Sequence, residues 1–227
     1  MNYKIFGDSF PAVTITLDKN EEVFTQSGGM IWLDEHIKME SNLKGGIGKS
    51  IGRMFAGESL FMVTYISKRD NSEITFGAKC PGTIIPVTLN RGYEIIAQKD
   101  AFLCAPPSVS LEVTFTKKLS SGFFGGEGFI LQRIFGEGIV FLESAGSVIT
   151  KTLQNGEVCL VDSGNVVAFE KTVSYEIETV KGVKNILFGG EGLFLTKLTG
   201  PGKIWLQTLT LQNMAANLIP FLPINDR

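Results

Sequence analysis

Histidine occurs once in the 227 residues, at His36, and cysteine three times, at Cys80, Cys104 and Cys159. With one histidine, any His-dependent triad has a single candidate base, and no serine stands in a Gly-x-Ser-x-Gly context to act with it. His36, just beyond Trp32-Leu33-Asp34-Glu35, reads as a surface or hydrogen-bonded residue. Three widely spaced cysteines without a Cys-x-x-Cys indicate neither a disulfide framework nor a zinc site, and buried free thiols in a reducing compartment are expected. No apolar run approaches the roughly 18 residues of a membrane span. Met1-Asn2-Tyr3-Lys4-Ile5 lacks the apolar core and small-residue cleavage site of a signal peptide, so the expected location is cytoplasmic, touching a membrane but not crossing one. Clustered positive charge is missing too. The formal net charge is −2 and the pI about 5.6. Lys68-Arg69 and Lys117-Lys118 are too short to grip nucleic-acid phosphates, and no nucleic-acid partner is expected.

What the chain does have is repetition. Phe188-Gly189-Gly190-Glu191-Gly192 repeats Phe124-Gly125-Gly126-Glu127-Gly128 at an offset of 64. That offset also carries Gly136 onto Gly200, Gly138 onto Gly202, Gly92 onto Gly156 and Thr88-Leu89 onto Thr152-Leu153. A weaker copy surrounds Phe55-Ala56-Gly57-Glu58-Ser59, with Leu17, Glu22, Val23 and Gln26 falling on Leu89, Glu94, Ile95 and Gln98 at an offset of 72. The chain therefore reads as one unit written three times, roughly 1–80, 81–144 and 145–210, with a tail at 211–227. Such units do not bury their apolar faces alone, so a single domain with a shared core is expected.

Each unit reads as β. Val13-Thr14-Ile15-Thr16-Leu17 alternates apolar and threonine residues, as do Leu111 to Phe115 and Tyr175 to Glu178 with their own polar partners. Asp18-Lys19-Asn20, Asn90-Arg91-Gly92 and Gln154-Asn155-Gly156 supply turns. Phe129-Ile130-Leu131, Ile139 to Leu142 and Ile204-Trp205-Leu206 are continuous apolar runs, which suit strands covered on both faces. With 26 glycines and 8 prolines, the fold class is all-β, of sandwich-like modules. The exception is the tail, where Leu211, Met214 and Leu218 share a helical face ahead of Pro220, predicting a short C-terminal helix packed on the body or on a neighbouring subunit.

Few residues suggest chemistry. Gly48-Lys49-Ser50 resembles the end of a phosphate-binding loop, but Leu43 stands where that loop requires glycine. The surrounding basic, glycine-rich stretch reads as a surface loop in which Lys44, Lys49 and Arg53, with Ile47, Ile51, Met54 and Phe55, can touch an anionic membrane or a partner. Glu58, Glu127 and Glu191 share one place in the three copies. Around a pseudo-threefold axis they could converge on a cation, although each accepting hydrogen bonds within its own glycine-rich turn explains the recurrence without one. No catalytic residue and no cofactor are assigned.

The run from Phe188 to Leu193, with Thr199-Gly200-Pro201-Gly202-Lys203-Ile204-Trp205-Leu206-Gln207-Thr208, resembles the signature of the bacterial and mitochondrial "altered inheritance of mitochondria" family. Gly164 to Phe169, Gly57 to Phe61 and the basic loop resemble further blocks of it. The chain departs from it at Asn165 and Leu209, where histidine and arginine are usual, so no polar role carries over to either. The resemblance implies three β modules in pseudo-threefold arrangement, of the type seen in the trp RNA-binding attenuation protein. It carries over neither tryptophan nor RNA binding, and no catalytic residues. Eukaryotic relatives are similar to factors that support inner-membrane and respiratory-complex organisation. The expected function is a non-catalytic oligomeric scaffold or binding module, a homo-oligomer next to a membrane or protein partner. The alternative is a small-ligand-binding protein or enzyme with a pocket between modules.

Overall fold

The computed structural model describes residues 1–26, 28–41, 62–117, 129–179 and 194–221. The chain opens with β1 (Asn2–Phe6), β2 (Ala12–Leu17), β3 (Glu22–Gln26), β4 (Met30–Leu33), β5 (Ile37–Ser41), β6 (Met62–Ser67) and β7 (Ser72–Gly77). In β2 the alternation works as written. Val13, Ile15 and Leu17 are buried, while Thr14 meets Thr75 across the ladder, Oγ1 to Oγ1 at 2.8 Å. Asn20, which closes the turn after β2, takes a left-handed φ of 69°, a conformation asparagine tolerates. Here β2 and β4 both pair with β7, β3 and β5 both pair with β6, and β1 covers the outer side of β2.

Next come β8 (Gly82–Leu89), β9 (Ile95–Gln98), β10 (Phe102–Cys104), β11 (Val109–Lys117), β12 (Phe129–Gly136) and β13 (Gly138–Ala145). Strands β8 and β10 pair with β13, and β9 and β11 with β12. The third group is β14 (Val148–Leu153), β15 (Val158–Asp162), β16 (Val166–Glu170), β17 (Ser174–Thr179), β18 (Phe194–Thr199) and β19 (Gly202–Gln207). In it β14 and β16 pair with β19, and β15 and β17 with β18. Among the described residues every pairing is antiparallel, and the fold is all-β with one short helix, α1 (Leu211–Leu218).

The groups are joined edge to edge. β9 pairs with β16, Ala97 opposite Ala168 and Ile96 opposite Phe169, which fuses β11-β12-β9 and β16-β19-β14 into one six-stranded sheet. β3 meets β10 through a bridge between Phe24 and Ala105. The apolar clusters cross the same seams. Phe24 and Met62 pack with Leu142, Val167 and Trp205, Phe141 packs with Ile15 and Phe76, and Phe129 and Leu131 pack with Phe169 and Leu198. Burial on both faces explains the apolar run of β12, where Phe129, Ile130 and Leu131 are all buried.

Helix α1 forms as expected, with Thr210 Oγ1 accepting from Asn213 N–H at 3.0 Å; within the chain Leu211 and Leu218 are exposed and Met214 is half-buried, so the body alone does not cover its stripe. One expectation is corrected. Of the thiols, Cys80 and Cys104 are buried, but Cys159 is only partly so, because β15 lies at a sheet edge. All three are free.

Candidate functional site

The residues singled out from sequence, Lys44, Lys49 and Arg53 of the basic loop and Glu58, Glu127 and Glu191 of the glycine-rich turns, lie outside the described residues. Among the described residues, no three His, Cys, Asp or Glu side chains gather as a metal site would require. His36 stands half-exposed, its Nε2 3.2 Å from Arg69 Nη1.

The described residues contain a cleft of about 180 Å³ where β13, β19 and the start of α1 meet. Lys79, Gln98, Glu143, Gln207 and Leu211 line it. Glu143 is the unusual member, a buried carboxylate in a strand whose neighbours are also buried. Lys79 holds it twice, through its backbone N–H to Oε2 at 2.8 Å and by placing Nζ 3.0 Å from Oε1. Gln207 is tied on both sides, donating to Gly164 O and accepting from Ala145 N–H, each at 2.8 Å. Gln98 donates to Ser163 O at 3.2 Å, and Asn165 donates to Gln207 O at 2.7 Å. Most of these polar groups are thus bonded within the protein, but among the described residues Glu143 Oε1 has only the Lys79 ammonium as an ion-pair partner and no hydrogen bond, and Asp100 and Gln212 also line the cleft.

In the wall of the cleft, burial pushes the Cys80 thiol up, and the Glu143 charge adds to the effect. Cys104 is raised well above its ordinary range for the same two reasons, so neither thiol is poised as a nucleophile.

A second polar group ties the β9–β16 seam. Arg133 forks onto Glu94, Nε to Oε2 at 2.7 Å and Nη2 to Oε1 at 2.8 Å, and reaches Glu112 with Nη1 at 3.0 Å. Lys171 Nζ adds a contact to Glu94 at 2.7 Å. The Arg133 bonds, then those of Lys171, hold the Glu94 carboxyl down to about 2. Nearby, Tyr93 O–H donates to Glu170 at 2.9 Å, and burial followed by that carboxylate pushes the phenol up.

The remaining candidates are surfaces. β4 ends one sheet and β15 ends another. Met30, Ile31 and Trp32 on the first, Val158 and Leu160 on the second, and Leu211, Leu218, Ile219 and Phe221 at the tail are large apolar side chains left exposed. Sequence reasoning named the tail but neither edge, and it missed Lys79, Glu143 and Arg133. One usable signal was the recurrence of Gln26 at Gln98. Both glutamines reach across a seam, Gln26 Nε2 to Gln132 Oε1 at 3.3 Å and Gln98 to Ser163.

Residues 3–209 match the family described as mitochondrial biogenesis AIM24. An uncharacterized protein of Streptococcus pyogenes serotype M6 is 29% identical over 226 residues, covering 96% of this chain and 89% of that protein. The crystal structure of a Streptococcus pyogenes protein superimposes with a TM-score of 0.78 at 26% identity, covering 97% of this chain and 99% of that one.

Proposed function

The chain belongs to the mitochondrial biogenesis AIM24 family, and we propose that it is a non-catalytic oligomeric scaffold that works through its β surfaces. On this reading it is built from three modules, roughly 1–80, 81–144 and 145–210, with 211–227 as a tail, in an arrangement of the trp RNA-binding attenuation protein type. The pairing scheme supports the modules. Leaving aside β1, each third of the chain has six strands, of which the first and third flank the sixth and the second and fourth flank the fifth: β2 and β4 on β7, β8 and β10 on β13, β14 and β16 on β19.

The observation that carries the scaffold reading is where unsatisfied surface lies. Most of the cleft's polar groups bond to the protein itself, and its volume of about 180 Å³ is below the roughly 300 Å³ at which small-molecule pockets begin; a second hollow of about 370 Å³, lined by Thr88, Asn90, Tyr93, Lys203 and Trp205, is more open to solvent, and its Tyr93 hydroxyl is already bonded to Glu170. Uncovered apolar side chains stand instead on strand edges, on α1 and just after it, and at Phe10. Surface of that kind binds macromolecules. The competing reading, a small-ligand protein or enzyme with a pocket between modules, rests on this cleft and on the open hollow between Thr88 and Trp205. Native mass spectrometry of untagged protein separates the two. A bare oligomer of several copies is expected, and a reproducible extra mass of one per chain would overturn the scaffold reading in favour of the pocket.

A further inference from the structure

The two seams inside the chain are built alike. In the first, the second strand of one module, β3, meets the third strand of the next, β10, through Phe24 and Ala105. In the second, β9 meets β16 with Ile96 opposite Phe169. The offsets of 72 and 64 carry Phe24 onto Ile96 and Ala105 onto Phe169, so the register is the same. A β-bulge recurs as well, between Met30 and Trp32, Phe102 and Cys104, and Val166 and Ala168. A third seam of this kind would join β15 to β4, yet among the described residues each of those strands ends its own sheet.

Exposure marks the two edges as halves of a missing seam. Ile31 is 59% exposed, while its counterparts Leu103 and Val167 are each 1% exposed. Trp32 is 41% exposed, against 0% for both Cys104 and Ala168. Leu160 is 57% exposed, against 3% for Phe24 and 7% for Ile96. The same positions are apolar in all three modules and are buried wherever a neighbouring module covers them.

Edge composition agrees. Free edges are normally blunted with charge or proline to prevent pairing. β1 carries Lys4, β5 carries Lys38, β8 carries Pro86, β11 carries Glu112, β14 carries Lys151, and β17 carries Glu176 and Glu178. β4 reads Met-Ile-Trp-Leu and β15 reads Val-Cys-Leu-Val before its last residue, Asp162. Of these edges, only β4 and β15 lack such a guard in the body of the strand.

We propose that β15 of one copy pairs antiparallel with β4 of a second copy, Leu160 opposite Leu33, repeating between chains the seam made twice within one. The inference rests on the oligomeric three-module reading and names its interface. Leu160 and Leu33 exchange both backbone hydrogen bonds, as Phe24 and Ala105 do. Ile31 and Trp32 of the second copy are covered along with Leu160. The two edges differ, so the contact is head-to-tail, and each added copy leaves the same two edges free until the assembly closes on itself.

The alternation of an antiparallel ladder turns the Leu160 N–H away from β18 and toward the open side, so Leu160→Pro removes an intermolecular donor and no bond within the chain. Light scattering coupled to size exclusion, on the full chain over a range of concentrations, is the first test. The wild type is expected as several copies, and Leu160→Pro as one copy with an unchanged circular dichroism spectrum. A covalent test covers the case in which that variant misfolds. The same register sets Asp34 opposite Cys159, as Glu170 lies opposite Ile95, a non-hydrogen-bonded pair close enough for a disulfide. Oxidised Asp34→Cys should give chain-to-chain disulfides on a non-reducing gel, and Asp34→Cys/Cys159→Ser should not. An oligomer that persists in folded Leu160→Pro, or oxidised Asp34→Cys that stays unlinked, overturns this interface and leaves the oligomeric reading standing. A wild type of one copy at every concentration overturns both.

Discussion

Phe24 and Ala105 exchange both of their backbone hydrogen bonds, Phe24 N–H to Ala105 O at 2.8 Å and Ala105 N–H to Phe24 O at 3.0 Å. Around this bridge the Phe24 ring stacks on Phe102, centroids 5.5 Å apart, and the Thr25 hydroxyl donates to Leu103 O at 2.5 Å. The seam is thus bonded through backbone, side chain and ring together. Phe24→Ala should cost about 3–5 kcal/mol, since it empties a fully packed aromatic site and removes the stack. Urea unfolding would check this, and a loss under about 1 kcal/mol would mean that the seam contributes little to the fold.

The Glu94 carboxyl, held at about 2 against an ordinary 4.5, makes stability depend on pH in a defined direction. A depressed carboxyl pKa contributes stability that is fully present above the unfolded value and is lost as pH falls through the folded one. The window therefore runs from about 4.5 down to about 2. A shift of that size would be worth about 3 kcal/mol away from solvent, and screening of this partly exposed cluster brings it to about 1–2 kcal/mol. Glu94→Gln should be less stable than wild type by that amount near neutral pH. The gap should narrow as pH drops below about 4.5. A gap that stays constant down to the acid limit would locate the effect in packing instead of charge.

Much of the fold was legible because its rules are local. Val13 to Leu17 alternates, Asn155-Gly156 turns, and Thr210 with Leu211 to Leu218 caps and fills one helix, each within a few residues. The recurrence of Gly136 and Gly138 at Gly200 and Gly202 was also plain in the sequence, and β12 turns into β13 at the first pair as β18 turns into β19 at the second. The seams were not legible, because they depend on which edges meet. Arg133 is 39 residues from Glu94 and Glu143 is 64 from Lys79, and no local pattern says that a glutamate in Phe-Leu-Glu-Ser is buried. The apolar character of Ile31 and Leu160 was plain in the sequence, but their exposure appears only once β4 and β15 are seen to end their sheets.

Gly136 and Gly156 look alike in sequence and differ in what surrounds them. A Cβ on Gly136 would stand 2.2 Å from Ser108 O with φ at +118°, so backbone must move. At Gly156, φ is +76° and the space is open. Gly156→Ala should cost about 1 kcal/mol, the strain of a left-handed alanine. Gly136→Ala should cost more than about 2 kcal/mol, because a clash is added to strain. Paired thermal melts would test the order, and equal losses would mean that the Gly136 turn relaxes freely.

Cys104 is fully buried, and both burial and the Glu143 charge push its thiol up. Thiolate, the reactive form, is therefore scarce there as well as inaccessible. Cys104, at the end of β10, precedes Ala105, which bonds Phe24 across the first seam, and it packs with Ile15, Phe76 and Phe141, so a reagent reaches it when that packing or the seam beside it opens. If the seam parts only with the whole fold, alkylation of Cys104 by iodoacetamide should proceed at the rate of global unfolding, as read by peptide mass spectrometry over time. If the seam opens alone, labelling should outpace unfolding, and Phe24→Ala should accelerate it further. The first outcome is expected, because the apolar cluster containing Phe24 extends through Leu142 to Val167 and Trp205. That cluster couples the first seam to the second, so neither parts without disturbing the other.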